Sequence, residues 1–162
     1  ALCHYKISPP YSLDQYDTYI AIERFQYFVQ MFPNSERVKE CNKLIDDLHA
    51  KLDMKQFEIA KMYLNIGDYK AAITSFDLLL HDSPGTKYRE EITFLLIKAK
   101  YNLALNSIEA KKEQRINDAQ AQYNAFVKEF PESEFTDEAK SVQEKINKLR
   151  DDFNNDKKSK TN

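Results

Sequence analysis

Apolar positions recur along this chain at steps of three and four, and no stretch alternates strictly between apolar and polar. The elements it predicts are therefore amphipathic α-helices. The pattern is itself repeated. Ala21–Pro33 reads AIERFQYFVQMFP, Ala72–Pro84 reads AITSFDLLLHDSP, and Ala119–Pro131 reads AQAQYNAFVKEFP. Each copy opens on alanine, carries an aromatic residue four places later (Phe25, Phe76, Tyr123) and an apolar residue three beyond it (Phe28, Leu79, Phe126), and closes on proline. A Ser or Thr follows each proline by two places (Ser35, Thr86, Ser133) and a Glu by seven (Glu40, Glu91, Glu138). A proline just past a helix end costs no backbone hydrogen bond. Copies of one helical unit mark a helical repeat array.

Taken in order, ALCHYK reads as a last helical turn, and Pro9 and Pro10 stop it. Asp17 or Thr18 is placed to cap a helix that buries Ala21, Ile22, Phe25, Phe28 and Val29 and ends near Phe32. Asn34 or Ser35 then caps a run with Val38, Cys41, Leu44, Ile45, Leu48 and Leu52 on one face. That run continues to Gly67 without proline or glycine. It is either one long helix or two, stacked or nearly continuous, breaking near Asp53, and the second arrangement is the one we expect. Gly67 suits a left-handed helix end and Asp68 the next cap. From Tyr88 a helix is expected to turn Ile92, Leu95, Leu96, Ala99, Leu103 and Ile108 inward. The polar stretch Glu109–Arg115 either prolongs it or forms the turn. The last helix, about 134–152, carries Ala139, Val142, Ile146 and Leu149 on one face, and the tail from 154 has no apolar residue and should be loose. The expected division is 1–16 as the end of a preceding repeat plus a loop, 17–153 as the repeat domain, and 154–162 as a flexible tail.

Composition narrows the function classes. Only 2 Gly and 5 Pro in 162 residues favour long helices. A formal net charge of −2 leaves no broad basic face for nucleic acid. No apolar run approaches the ~18 residues of a membrane span. Cys3 and Cys41 read as two buried free thiols on helix faces, burial being common for cysteine, and their spacing does not support a disulfide. His4, His49 and His81 lack the convergent partners of a metal site, the two glycines make no phosphate loop, and no nucleophile motif is present. No cofactor and no catalysis are expected, and acidic pairs such as Glu90-Glu91 read as solvated helix faces.

The middle copy is the most informative. Ile59, Ala60 and Tyr63, then Gly67-Asp68-Tyr69, then Ala72, Phe76 and Pro84, form the tetratricopeptide signature of two helices nested through small residues. The expected fold is all-α, a tetratricopeptide-like helical-hairpin solenoid of about seven helices. The prolines, however, are 51 and 47 residues apart, against a repeat of about 34 in a plain array. Extra helical length therefore sits in 37–52 and 105–116.

With that departure, the helix ending FPNSE, the helix Phe57–Tyr63, the Gly67-Asp68-Tyr69 turn and the stretch SPGTKYREE resemble the BamD family of outer-membrane assembly lipoproteins, also called YfiO or ComL. The resemblance covers about residues 14–149, and NSIEAKKEQR with the third copy resembles Bacteroides-type versions. It implies the C-terminal repeats of such a protein, with the N-terminal repeats and the lipidated cysteine lying upstream. It also implies a non-catalytic scaffold on the periplasmic face of the outer membrane. Its partners would be the POTRA domains of a BamA-like barrel protein, other assembly lipoproteins and unfolded outer-membrane clients. The alternatives are a generic tetratricopeptide adaptor for peptides and, in another class, an enzyme accessory subunit.

In tetratricopeptide geometry Phe57, Lys61, Leu64 and Asn65 face the inner side, with Lys98 the one plausible further cation for a carboxylate clamp. The competing reading has Phe57 and Leu64 packing on neighbouring helices. The tail lysines Lys157, Lys158 and Lys160 are expected in solvent rather than on anionic lipid. If the repeat register is right, Phe76→Ala removes a core aromatic. Thermal unfolding should then show a loss of about 3–5 kcal/mol, and an unchanged melting temperature would sink the register.

Overall fold

The computed structural model describes the backbone of residues 1–161 and the side chains of residues 1–159. Among the described residues it is all-helical: α1 (Leu2–Ile7), α2 (Tyr16–Met31), α3 (Val38–Asn65), α4 (Tyr69–Asp82), α5 (Arg89–Leu105), α6 (Glu109–Glu129) and α7 (Thr136–Thr161). They form tetratricopeptide-like helical hairpins, as the repeat pattern leads one to expect. Packing divides the chain into Ala1–Glu58 and Ile59–Asn162, and the division falls inside α3. That helix is continuous where we expected a break near Asp53, because nothing between Val38 and Asn65 interrupts its hydrogen bonds.

The three copies share one turn, atom for atom. The caps Phe32, Ser83 and Phe130 donate their backbone N–H to the carbonyls of Phe28, Leu79 and Phe126. The N–H groups of Ser35, Thr86 and Ser133 then reach the carbonyls of those same caps, and those of Val38, Arg89 and Thr136 reach Ser35, Thr86 and Ser133. The cap dihedrals agree to within a few degrees in φ, at −130°, −130° and −129°. The hydroxyls differ. Ser35 Oγ and Ser133 Oγ accept from the N–H two residues on, while Thr86 Oγ1 is buried without a hydrogen-bond partner among the described residues.

In the first unit α1 packs on α2, and Ala21, Ile22, Phe25, Cys41 and Leu48 form the core, with Tyr5, Phe28 and Leu44 packed around it. Tyr5 meets Phe25 edge-on at 6.2 Å between ring centroids. The structure buries Cys41 but leaves Cys3, also expected to be buried, exposed. The loop before α2 is held from both sides: Gln15 Nε2 donates to the carbonyls of Pro10 and Leu13, and Lys51 and Lys55 on α3 donate to those of Pro9 and Leu13. Burial lowers the Lys51 pKa. Neither Asp17 nor Thr18 caps α2. The N-cap is Gln15, Asp14 Oδ1 accepts from Tyr16 N–H, and buried Thr18 donates back to Gln15 Oε1 at 2.7 Å. Asp17 instead bonds His4 on α1 at 2.8 Å.

In the second unit α5 is the central helix, packed against α4, α6 and α7. Residues 92–97 are buried without interruption, since neighbours on several sides leave α5 no solvent face over that length. Phe94 stacks on Phe135 at 4.9 Å and meets Phe126 at 6.1 Å. Gly67 adopts φ +84°, the left-handed conformation that glycine adopts at least cost, and Asp68 Oδ1 caps α4 through Ala71 N–H. Phe76 is fully buried. Ile108, expected inward, is 68% exposed: α5 ends at Leu105, and Ile108 becomes the N-cap of α6, so 109–115 begins a new helix. α7 buries Ala139, Val142, Ile146, Leu149 and also Phe153. It runs on through 154–161, where a loose tail was expected, with Lys157 over the Phe153 ring and paired to Glu113 at 2.6 Å. Asn162 lies outside the described residues.

The buried, unsatisfied hydroxyl of Thr86 makes a specific prediction. Thr86→Val keeps the shape and removes a desolvated polar atom, so it should leave stability unchanged or raise it by up to about 1–3 kcal/mol. Chemical denaturation of the two proteins checks this, and a marked loss would mean that the hydroxyl is bonded in solution.

Candidate interaction surface

The second unit places three helices, the end of α3, α5 and α7, so that one row of charges joins them. Glu91 and Glu138 occupy the same place in two copies of the repeat, seven residues after the proline and in the first turn of a helix. Each takes a lysine from the helix before it in the row. Lys61 Nζ on α3 lies 3.4 Å from Glu91 Oε1, and Lys98 Nζ on α5 lies 4.0 Å from Glu138 Oε2. Glu91, Phe94 and Lys98 are spaced by three and four, so they share one face of α5. Lys98 also sits over the Phe94 ring at 5.3 Å, and that ring is the one stacked on Phe135 of α7. The face is thus a paired charge, an aromatic stack and a second paired charge.

These pairs are accessible to solvent and contribute little to stability, about 0–1 kcal/mol each. What they decide is chemical character. A carboxylate clamp needs cations free to turn to a ligand, whereas each of these ammonium groups already has a carboxylate beside it. Asn65 is exposed and Leu64 half-buried. Phe57 is 2% exposed. Its expected place on an inner binding face is therefore corrected: it lies on the same helical face as Ala60, itself fully buried, and a partner cannot reach it without opening the core. Lys61, Leu64, Asn65 and Lys98 remain reachable.

Glu91, Phe94, Phe135 and Glu138 were missed by the sequence reading as members of this face. The signal was present in the repeated Glu, but a repeat shows only that a position recurs, not what it touches. A cleft of about 400 Å³ in this unit has Ile73, Lys100, Leu103, Arg115, Asp118 and Gln122 in its lining. Lys100 bonds Gln122 Oε1 at 2.6 Å and Arg115 bonds Ser107 Oγ. Partial burial raises the pKa of nearby Asp77, with Lys100 acting in the opposite direction. Among the described residues no cluster of His, Cys, Asp or Glu has the makings of a metal site, and no helix is long and apolar enough to cross a membrane.

Comparison with known proteins gives a consistent result. Residues 4–116 match the model of the YfiO family, described as "Outer membrane lipoprotein". A curated relative, "Outer membrane protein assembly factor BamD" of Caulobacter vibrioides, is 30% identical over 112 residues, which are 69% of this chain and 36% of that protein. The protein of the same description from Rickettsia prowazekii is 27% identical over 112 residues, 69% of this chain and 44% of that protein. The matched part of the chain spans less than half the length of both relatives.

The burial of Phe57 separates core from face. Phe57→Ala should cost about 3–5 kcal/mol in urea unfolding, whereas Lys98→Ala should change stability by less than about 1 kcal/mol. Comparable losses from both would dissolve the distinction.

Proposed function

Because this chain belongs to the YfiO family of outer membrane lipoproteins, we propose that it is a non-catalytic scaffold in outer-membrane protein assembly. It would work on the periplasmic face of the outer membrane in a protein held there by a lipid outside this sequence. The observation that carries this reading is the family match across 4–116, together with two relatives described as assembly factors. The proposed partners are the POTRA domains of a BamA-like barrel protein, with other assembly lipoproteins and unfolded barrel clients beside them.

The paired face of α3, α5 and α7 supports the same reading. Lys61, Leu64, Asn65 and Lys98 present polar groups and one half-buried aliphatic side chain on helices that a packed core holds rigid. Such a surface meets a folded domain at little conformational cost. It does not suit capture of a free C-terminal carboxylate, the chemistry of a peptide-clamp adaptor, because Lys61 and Lys98 each have a carboxylate in place.

Calorimetric titration of this chain with the POTRA domains of the BamA protein from the same genome tests the proposal. Saturable binding is expected, weakened about tenfold, or about 1.4 kcal/mol, by Lys61→Glu or Lys98→Glu in variants that still fold. No binding at about 100 μM, near −5.5 kcal/mol, would overturn the proposal for this stretch of chain.

A further inference from the structure

The cleft of about 400 Å³ between α4, α5 and α6 is a departure of the third copy of the repeat from the other two. Its lining includes Ala121 and Ala125 of α6, which lie about one helical turn apart on one face. At those places the first copy carries Glu23 and Tyr27, and the second Thr74 and Leu78. The larger side chains would narrow the opening. α4 starts at Tyr69, the place that Ile116 holds in α6, so Glu109–Arg115 is helix that the second copy lacks. Arg115 closes that added stretch and lines the cleft, where the other copies have Asp17 and Asp68. Lys100 of α5 brings a second cation to it. Neutral groups hold both: Lys100 Nζ donates to Gln122 Oε1 at 2.6 Å, and Arg115 donates to Ser107 Oγ. Gln122 is itself fixed, its Nε2 donating to the Thr93 carbonyl at 3.4 Å. Neither cation has an ion pair among the described residues, in contrast to Lys61 and Lys98 on the charged row. Asp118 puts one carboxylate in the lining, and Asp77 acts on Lys100 from outside it.

We propose that this cleft is a binding site for a carboxylate carried on a short aliphatic stem, the chemistry shared by a glutamate side chain of a partner protein and a small free acid. The balance of charge sets the sign: two cations against one carboxylate in the lining leave room for one negative group. Arg115 suits that group geometrically, since a planar fork with five donors matches a carboxylate and one of the five is spent on Ser107. Lys100 exchanges a neutral amide for a charged acceptor, and charge-assisted hydrogen bonds are the stronger kind. Ile73 and Leu103, with the two alanines, give the stem aliphatic walls. The volume falls at the small end of ligand sites, about 300–1,000 Å³. A phosphate dianion would bring a second negative charge against Asp118, and a cation would meet two like charges. The inference is independent of the assembly role proposed above, and either can fail without the other.

Two pairs of probes test this: 4-methylpentanoate with its amide, and the end-blocked peptide Ac-Ala-Leu-Glu-Leu-Ala-NH2 with its Gln counterpart. Each is titrated into the whole chain while NMR follows the backbone amides of Ala121 and Ala125 and the side-chain amide of Gln122. At least one of the two acids should shift those resonances and bind about tenfold more tightly than its uncharged counterpart. Arg115→Gln should weaken that binding about tenfold. Ala125→Leu, which installs the residue the second copy carries at this place, should abolish it, with circular dichroism confirming the fold. Asp118→Asn should tighten it about threefold, a gain that a damaged fold cannot imitate. If the Glu peptide binds more tightly than the free acid, a partner's side chain is the source of the carboxylate; the opposite order supports a small acid. Equal binding of both acids and their uncharged counterparts would overturn the proposal. So would the absence of shifts at the cleft with about 50 mM of either acid, or binding that Ala125→Leu leaves intact.

Discussion

One hydrogen-bonded turn, built three times from equivalent backbone atoms, is the constraint on which both units depend. Each copy ends a helix at the same cap dihedrals and restarts the chain after two linked turns. With the exit and entry of each hairpin set this way, the small residues Ala21, Ala72 and Ala119 fall at fully buried positions. The aromatics four places on, Phe25 and Phe76, are buried with them, while in the third copy Tyr123 is half-buried and Phe126, seven places on, is buried. Helix length between turns is then free to vary without disturbing the turn, which is how 51- and 47-residue spacings coexist with one geometry.

Energy and character are divided between different groups on the charged row of the second unit. The stack of Phe94 on Phe135 and the burial of residues 92–97 carry the stability, at roughly 1.5–3 kcal/mol for each large side chain removed from water. The Lys61–Glu91 and Lys98–Glu138 pairs carry almost none at their exposure. Their consequence is that the row presents charge already balanced by itself. A partner meeting it neither gains a strong attraction nor has to strip an unpaired ion, so selectivity there depends on shape and on polar contacts at fixed positions.

How much of this was legible in the sequence depended on the range of the interaction. The helices, the glycine at φ +84°, the Asp68 cap and the alanine–aromatic core follow from spacings within one helix or one turn, and they were readable. A break in α3 near Asp53 was expected although that run holds neither proline nor glycine, and the absence of both is the fact that decided its continuity. The cap of α2 was misplaced because Gln15 does its work through the loop carbonyls of Pro10 and Leu13, a tertiary arrangement. Ile108 looked like one more inward residue until the helix ended before it. Phe57 illustrates the limit for the binding face: a helical position names a direction, and only the neighbouring helices decide whether that direction is solvent or core. The cleft of the second unit was not foreseen at all, since Lys100 was not considered and Arg115 was read only as part of a polar stretch.

Two charged surfaces differ in a way that follows from pairing alone. Opposite charges held within 3.4–4.0 Å of each other on the α3, α5 and α7 face nearly cancel at distances beyond their separation. The field they project therefore decays quickly, and salt has little left to screen. Arg24 and Arg37 of the first unit instead line a mostly apolar surface together with Glu40 and form no ion pair among the described residues. A charged partner approaching the paired face over a Debye length of about 8–10 Å should therefore meet a field almost indifferent to salt.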